Sequence, residues 1–235
     1  MNAVQYSTGN HLLDALPASE LADLERDLTV VAFKAHQSTQ SIGRPMSHVD
    51  FPIDAVLSVV ATLKNGDSVE VGTVGSESFV ASDAALNSTW SSRTSFCQVQ
   101  GTVGQMTIDR FDARRGASGA FPRFMRQNVR ATLFSTQQFV ACNIKHTVLQ
   151  RCARWLAMTA DRVGRPNFTL THEFLAIMLG VRRAGVSEAA DTLHQLGAIE
   201  YRRGAVTIVD RAILEGVACE CYEACKATFA SSLLE

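Results

Sequence analysis

Leu12, Leu13, Leu16, Leu21, Leu24 and Leu28 recur at helical spacing among acidic residues, and Pro17 interrupts the run, so the pattern predicts two short helices. From residue 29 to 108 the period shortens. Residues 30–33, 56–60, 69–71 and 96–99 read as strands, separated by turns at 42–45, 64–67 and Gly101. Asn65-Gly66 between two apolar runs is a hairpin signal, because both residues accept positive φ. Short strands at regular spacing predict a small β-barrel or roll.

Beyond Asp109 the pattern turns helical, and after Pro122 no proline or glycine occurs until Gly164. Val129, Leu133, Thr136, Val140 and Asn143 step by four, three, four and three. That rhythm suits the seam of a two-stranded coiled coil, and it equally suits packing against the β-domain. A second helix, near 146–162, places Leu149, Cys152, Trp155, Leu156 and Met158 in a core, and residues 164–167 link it to a last module.

Residues 172–191 fit the helix-turn-helix template. Counting His172 as first, Ala176 is fifth, where a small side chain lets two helices cross closely, and Gly180 is ninth, where a left-handed turn is cheap. Leu175, Leu179, Val181, Val186 and Ala189 fill the apolar positions, and Thr171 suits an N-cap. The second helix should bury Val186, Ala190, Leu193 and Leu196 and stop at Gly197. Residues 198–209 then form two short strands around Arg202-Arg203-Gly204, the wing of a winged helix. Thr171, His172, Arg182, Arg183 and Ser187 are the candidate DNA contacts of the helices. Arg182 and Arg183 stand at the helix start, where a basic residue opposes the helix dipole unless it faces a ligand. An arginine there can bond guanine O6 and N7 together, whereas Arg202 and Arg203 on the wing would neutralise phosphates.

Charge strengthens this reading. The net −1 conceals 6 Lys/Arg against 13 Asp/Glu over 1–112, and 14 against 5 over 113–209. An acidic module joined to a basic one points to a polyanion partner. No stretch is long and apolar enough for a membrane span, and the polar first ten residues do not resemble a secretory signal, so a cytoplasmic protein is expected. Six cysteines, at 97, 142, 152, 219, 221 and 225, are too few and too late in the chain for a disulfide framework. Cys219, Cys221 and Cys225 fall in a predicted late helix in which 221 and 225 share a face and 219 points away. Three thiolates could bind a metal or form a redox switch, but with a fourth ligand missing nearby they read first as packing, and no metal site is assigned. No nucleophile–base pair, phosphate loop or closed metal set marks an enzyme.

The chain resembles the Crp/Fnr superfamily of bacterial regulators. The resemblance rests on Phe51-Pro52 ahead of a strand, on 70–75 (Glu-Val-Gly-Thr-Val-Gly), and on 170–183 (Leu-Thr-His-Glu-Phe-Leu-Ala-Ile-Met-Leu-Gly-Val-Arg-Arg). It implies an α+β fold: a cyclic-nucleotide-binding-like β-roll sensor domain (1–112), a long dimerisation helix and linker (113–146), and a C-terminal winged helix with a last helix (147–235). It also implies a homodimer on double-stranded DNA, with RNA polymerase as a further partner. Val129, Leu133, Thr136 and Val140 would then form the dimer seam. In nucleotide-sensing members a Gly-Glu pair holds the ribose and an Arg-Ser or Arg-Thr pair the cyclic phosphate. Arg93-Thr94 matches the second pair, while the first is replaced by Ala81-Ser82 or Ser82-Asp83. Ser82, Asp83, Arg93 and Thr94 thus mark an effector pocket whose ligand is not ordinary cyclic AMP. The N-terminal cysteines of the iron–sulfur branch are absent, Cys97 being first, and no cofactor is assigned. A rival reading is a cyclic-nucleotide-binding signalling module acting through protein partners. A salt-dependent DNA shift assay would separate the two.

Overall fold

The computed structural model describes residues 7–202 and 204–233. Two short helices open the chain, α1 (His11–Asp14) and α2 (Ala18–Leu24), with Pro17 between them as expected. Asn10 caps α1 through the Leu13 amide, and its buried amide donates to the carbonyls of Pro52 at 2.8 Å and Ser78 at 3.0 Å. Those bonds pin the start of α1 onto the β-domain.

Among the described residues that domain holds seven strands: β1 (Thr29–Phe33), β2 (Ser38–Gln40), β3 (His48–Pro52), β4 (Val56–Thr62), β5 (Ser68–Val74), β6 (Thr94–Val99) and β7 (Gly101–Thr107), with the short α3 (Ser82–Ala85) before β6. They form two antiparallel sheets, ordered β1-β7-β3 and β2-β6-β4-β5. Gly66, at φ +91°, turns the predicted β4–β5 hairpin. The hydrophobic pattern did not announce β2, β3 or β7, because each is short or carries polar residues on its alternate positions. Gly101 begins β7 instead of making a turn; a Cβ there would lie 2.6 Å from the Ala55 nitrogen.

After α4 (Ile108–Gly116) comes the long α5 (Ala120–Lys145). Its first turn is capped by the Glu20 carboxylate, which accepts from the amides of Ala120 at 2.9 Å and Phe121 at 3.0 Å. The chain then reverses into α6 (Val148–Val163), opened by a Thr147/Gln150 capping box and closed by Gly164 at φ +64°. The last module comprises β8 (Asn167–Thr169), α7 (His172–Leu179), α8 (Arg183–Gln195), β9 (Ile199–Arg202), β10 (Ala205–Ile208), α9 (Arg211–Val217) and α10 (Cys221–Ser231). Strand β8, which starts at the last residue of the expected linker, completes a three-stranded sheet in the order β8-β10-β9.

One core runs through both halves. Val56 and Val99 of the roll pack with Trp155, Leu156, Phe168 and Met178. Glu70 is buried at this junction. It accepts hydrogen bonds from Ser58 at 2.7 Å, Thr73 at 2.9 Å and the Trp155 indole at 3.1 Å, and burial pushes its carboxyl above the usual range. Beside it, Arg162 pairs with Glu77 at 2.7 Å, and the Arg162 stem lies over Gly75. The residues 70–75 that carried the family resemblance therefore form the seat of α6. Arg151, Arg154 and Arg162 are all buried, so part of the basic surplus over 113–209 is structural and does not face solvent.

Candidate nucleic-acid interface

Helix α7 starts at Thr171, whose hydroxyl accepts from the Phe174 amide at 3.1 Å, and ends at Gly180, φ +62°. The left-handed glycine lets the Gly180 and Val181 amides return to the carbonyls of Ile177 and Ala176. This tight corner sends the chain straight into α8. Val186, Ala189, Ala190 and Leu193 of α8 are buried, whereas Leu196, expected on that inner face, is exposed because the helix ends at Gln195 and Leu196 already turns toward Gly197.

The outer face of α8 is uncovered. Arg182 and Arg183 are exposed and have no carboxylate partner among the described residues. Arg182 is the N-cap, not part of the helix, and no side chain caps the first turn. Two guanidinium groups and open backbone amides thus converge on one helix end, an arrangement suited to an anion. Ser187 and His172 are half-buried and bonded to each other, Ser187 Oγ to His172 Nδ1 at 3.0 Å. The His172 ring lies 4.3 Å from Tyr201, whose hydroxyl donates to the Leu170 carbonyl. Burial first, and Arg183 second, push the His172 pKa down and favour its neutral form. His172 and Ser187 therefore fix the angle between α7, α8 and the wing, a role the template alone did not reveal. On the wing, Arg202 is 84% exposed and only loosely paired with Glu200 at 3.7 Å. Arg203 lies outside the described residues.

Four seam candidates lie on α5, and the structure divides them. Leu133 and Val140 are exposed, at 57% and 58%, and Phe134 and Ile144 extend their stripe. Val129 and Thr136 are half-buried. Val129 packs into the core beneath α1, while the Thr136 hydroxyl bonds back to the Thr132 carbonyl. Helix α10 packs along another side of α5, where Ser135, Phe139 and Cys142 are buried.

A cavity of about 390 Å³ separates the roll from α5. Ser82, Asp83 and Arg93 line it, together with Leu133 of α5, Arg162 of α6 and Phe229 of α10, none of which local sequence pattern assigned to it. Thr94 does not; its hydroxyl accepts from the Ile42 amide at 3.4 Å. Ala81 has φ +82°. A left-handed backbone is strain-free only for glycine, so the Ala81 side chain sits at a strained position beside the cavity. Asp83 is already engaged, accepting the Ser92 amide at 2.9 Å.

Among the described residues no helix is long and apolar enough to cross a membrane. Residues 150–217 match the Crp-like helix-turn-helix domain. Among curated proteins no sequence matches the chain. Solved structures of similar fold include a CRP-family transcriptional regulator from Thermus thermophilus (18% identity, 80% of this chain and 96% of that one, TM-score 0.66). FixK2 from Bradyrhizobium japonicum is another (13% identity, 82% and 98%, TM-score 0.67). So is the c-di-GMP-responsive global regulator CLP of Xanthomonas campestris (15% identity, 83% and 100%, TM-score 0.64). The chain has the fold of these Crp/Fnr regulators, and its residues 150–217 match the Crp-like helix-turn-helix model.

Proposed function

We propose that this protein is a sequence-specific, DNA-binding transcription regulator that works in the cytoplasm as a homodimer. The observation that carries the reading is the uncovered start of α8, where Arg182 and Arg183 stand beside uncapped amides. Arg183 enters the major groove and reads a base edge, Arg182 and the wing arginines hold phosphates, and Thr171, His172 and Ser187 set the helix at its working angle. The division is a sensor roll over 1–112, a dimer helix and linker over 113–146, and a DNA-binding domain over 147–235. The α5 stripe of Leu133, Phe134, Val140 and Ile144 pairs with its copy, and RNA polymerase is the partner at the promoter. Selecting bound fragments from the host genome tests the reading. It predicts a two-fold related site, and recovery of random fragments alone would refute it.

The cavity between roll and α5 is the effector pocket, and its ligand is not cyclic AMP. Ser82 in place of a carboxylate removes a charged hydrogen bond, a loss of about 1.5–3 kcal/mol or roughly 10- to 150-fold in affinity. Calorimetry should show no heat of binding at micromolar cyclic AMP. Saturable micromolar binding would contradict this assignment and make Asp83 the first candidate for the ribose contact.

A further inference from the structure

Four residues that the sequence reading left as packing, or did not consider, meet at the far end of the long helix. Cys142 lies in the last turn of α5 and His146 is its C-cap. Cys219 sits in the turn before α10, and Cys221 is the first residue of that helix. The single late helix expected over 219–225 therefore starts two residues later than expected, which turns Cys219 toward Cys221. Cys225 is the one that departs, toward Ser135. The two ligands missing nearby in the sequence, Cys142 and His146, come from the end of α5.

We propose that Cys142, His146, Cys219 and Cys221 form a tetrahedral site for a thiophilic divalent cation of the zinc type. Their three sulfur atoms and one imidazole nitrogen all lie within 4.8 Å of one another. Cys142 Sγ is 3.5 Å from Cys219 Sγ, and Cys221 Sγ is 3.6 Å from His146 Nδ1. A tetrahedral zinc ion, with bonds of about 2.3 Å to sulfur and about 2.0 Å to nitrogen, sets its ligand atoms roughly 3.5–3.8 Å apart. The two closest pairs already have that spacing, and small side-chain rotations bring in the others.

The surroundings fit a metal better than they fit packing. Cys142, Cys219 and Cys221 form a buried cluster with no aliphatic member, separate from the main cores. His146 turns Nε2 to the Glu220 carboxylate at 3.2 Å, which leaves Nδ1 for the sulfurs and gives the carboxylate–histidine pair that orients metal-bound imidazoles. Gln138 Nε2 contacts Cys221 Sγ at 3.1 Å, a donor suited to a thiolate. Arg151 and Arg154 are buried nearby, and each has an unpartnered Nε. Neither pairs with a carboxylate among the described residues. Three thiolates around a divalent ion leave one negative charge, which these guanidinium groups offset. The ion would tie the end of α5 to α10, on a different side from the Leu133–Val140 stripe.

The test is titration of the reduced, metal-free full chain with Co²⁺ under anaerobic conditions, followed by displacement with Zn²⁺. One equivalent per chain should give intense thiolate charge-transfer and tetrahedral d–d bands, abolished by one equivalent of Zn²⁺. Cys219→Ser should lose most of this absorption, and Cys97→Ser, far from the cluster, should keep it. His146→Ala, which leaves three thiolates, should shift the d–d bands while retaining charge transfer. Circular dichroism of each variant separates ligand loss from unfolding. The proposal is overturned if reduced wild type gives only the weak spectrum of octahedral cobalt, or if Cys219→Ser binds as wild type does. A chain that forms a Cys142–Cys219 disulfide and takes up no cobalt after reduction overturns it as well.

Discussion

Leu133→Glu should convert a dimer into monomers and abolish binding to a two-fold DNA site. Leu133 is 57% exposed in the single chain, so the substitution removes little from the monomer's own packing. In a symmetric dimer both copies of position 133 lie in one seam, and two carboxylates would meet where two leucines had been. Losing two buried leucines costs about 3–6 kcal/mol, taking roughly 1.5–3 kcal/mol for each. That raises the dimer dissociation constant by about 10² to 10⁴ before charge repulsion is counted. Sedimentation at micromolar concentration should show wild-type dimers and variant monomers with unchanged circular dichroism. Monomeric wild type would remove the dimer from the account.

Gly75→Ala should destabilise the protein far more than Gly72→Ala, although the two glycines are three residues apart in the same motif. A Cβ on Gly75 would lie 2.3–2.7 Å from three carbons of the Arg162 side chain, including its Cβ, which cannot swing away. Arg162 is itself held by Glu77, so either α6 lifts from the roll or β5 bends. A cost of about 2–3 kcal/mol is expected, in the range of overpacked cores. At Gly72 the nearest atom to an added Cβ is Val59 Cβ at 3.9 Å, an ordinary contact. Gly72→Ala should be near neutral, because the lost freedom of the unfolded chain offsets small strain. Urea denaturation of the two variants measures the difference. Equal midpoints would mean that α6 does not seat on Gly75.

The winged helix was legible in the sequence because its constraints are local. Ala176, Gly180 and the apolar spacing of 172–193 describe a corner that involves few other residues, and the structure places Gly180 in the left-handed conformation the template requires. The roll was only half legible. Strands 56–62 and 68–74 are apolar with a clear Asn-Gly turn, whereas β2 and β8 are three residues each and depend on partners distant in the chain. The charge pattern overstates the basic surface, since three of the basic residues between 113 and 165 are buried in α6. Functions assembled across the chain were hidden. The Cys142–Cys219 pair spans 77 residues, and the left-handed backbone at Ala81 is invisible in its residue type. His172 looked like a DNA contact by position, and its bond to Ser187 and tilted ring contact with Tyr201 arise only when α7, α8 and the wing are folded together.

The most direct test of DNA reading by α8 is a comparison of Arg183→Ala with Arg202→Ala on a selected genomic site and on random DNA across a salt series. Arg183 acts once per half-site, and each bidentate contact to guanine is worth about 1–3 kcal/mol of discrimination. Arg183→Ala should therefore weaken specific binding by about 2–6 kcal/mol per dimer, relax preference at one base pair per half-site, and change random binding little. Arg202→Ala should weaken both DNAs alike and lower the salt slope by about one unit per lost phosphate contact. If Arg183→Ala weakens random and specific DNA equally, or if the wild type binds no DNA at low salt, the placement of α8 as the reading helix is contradicted.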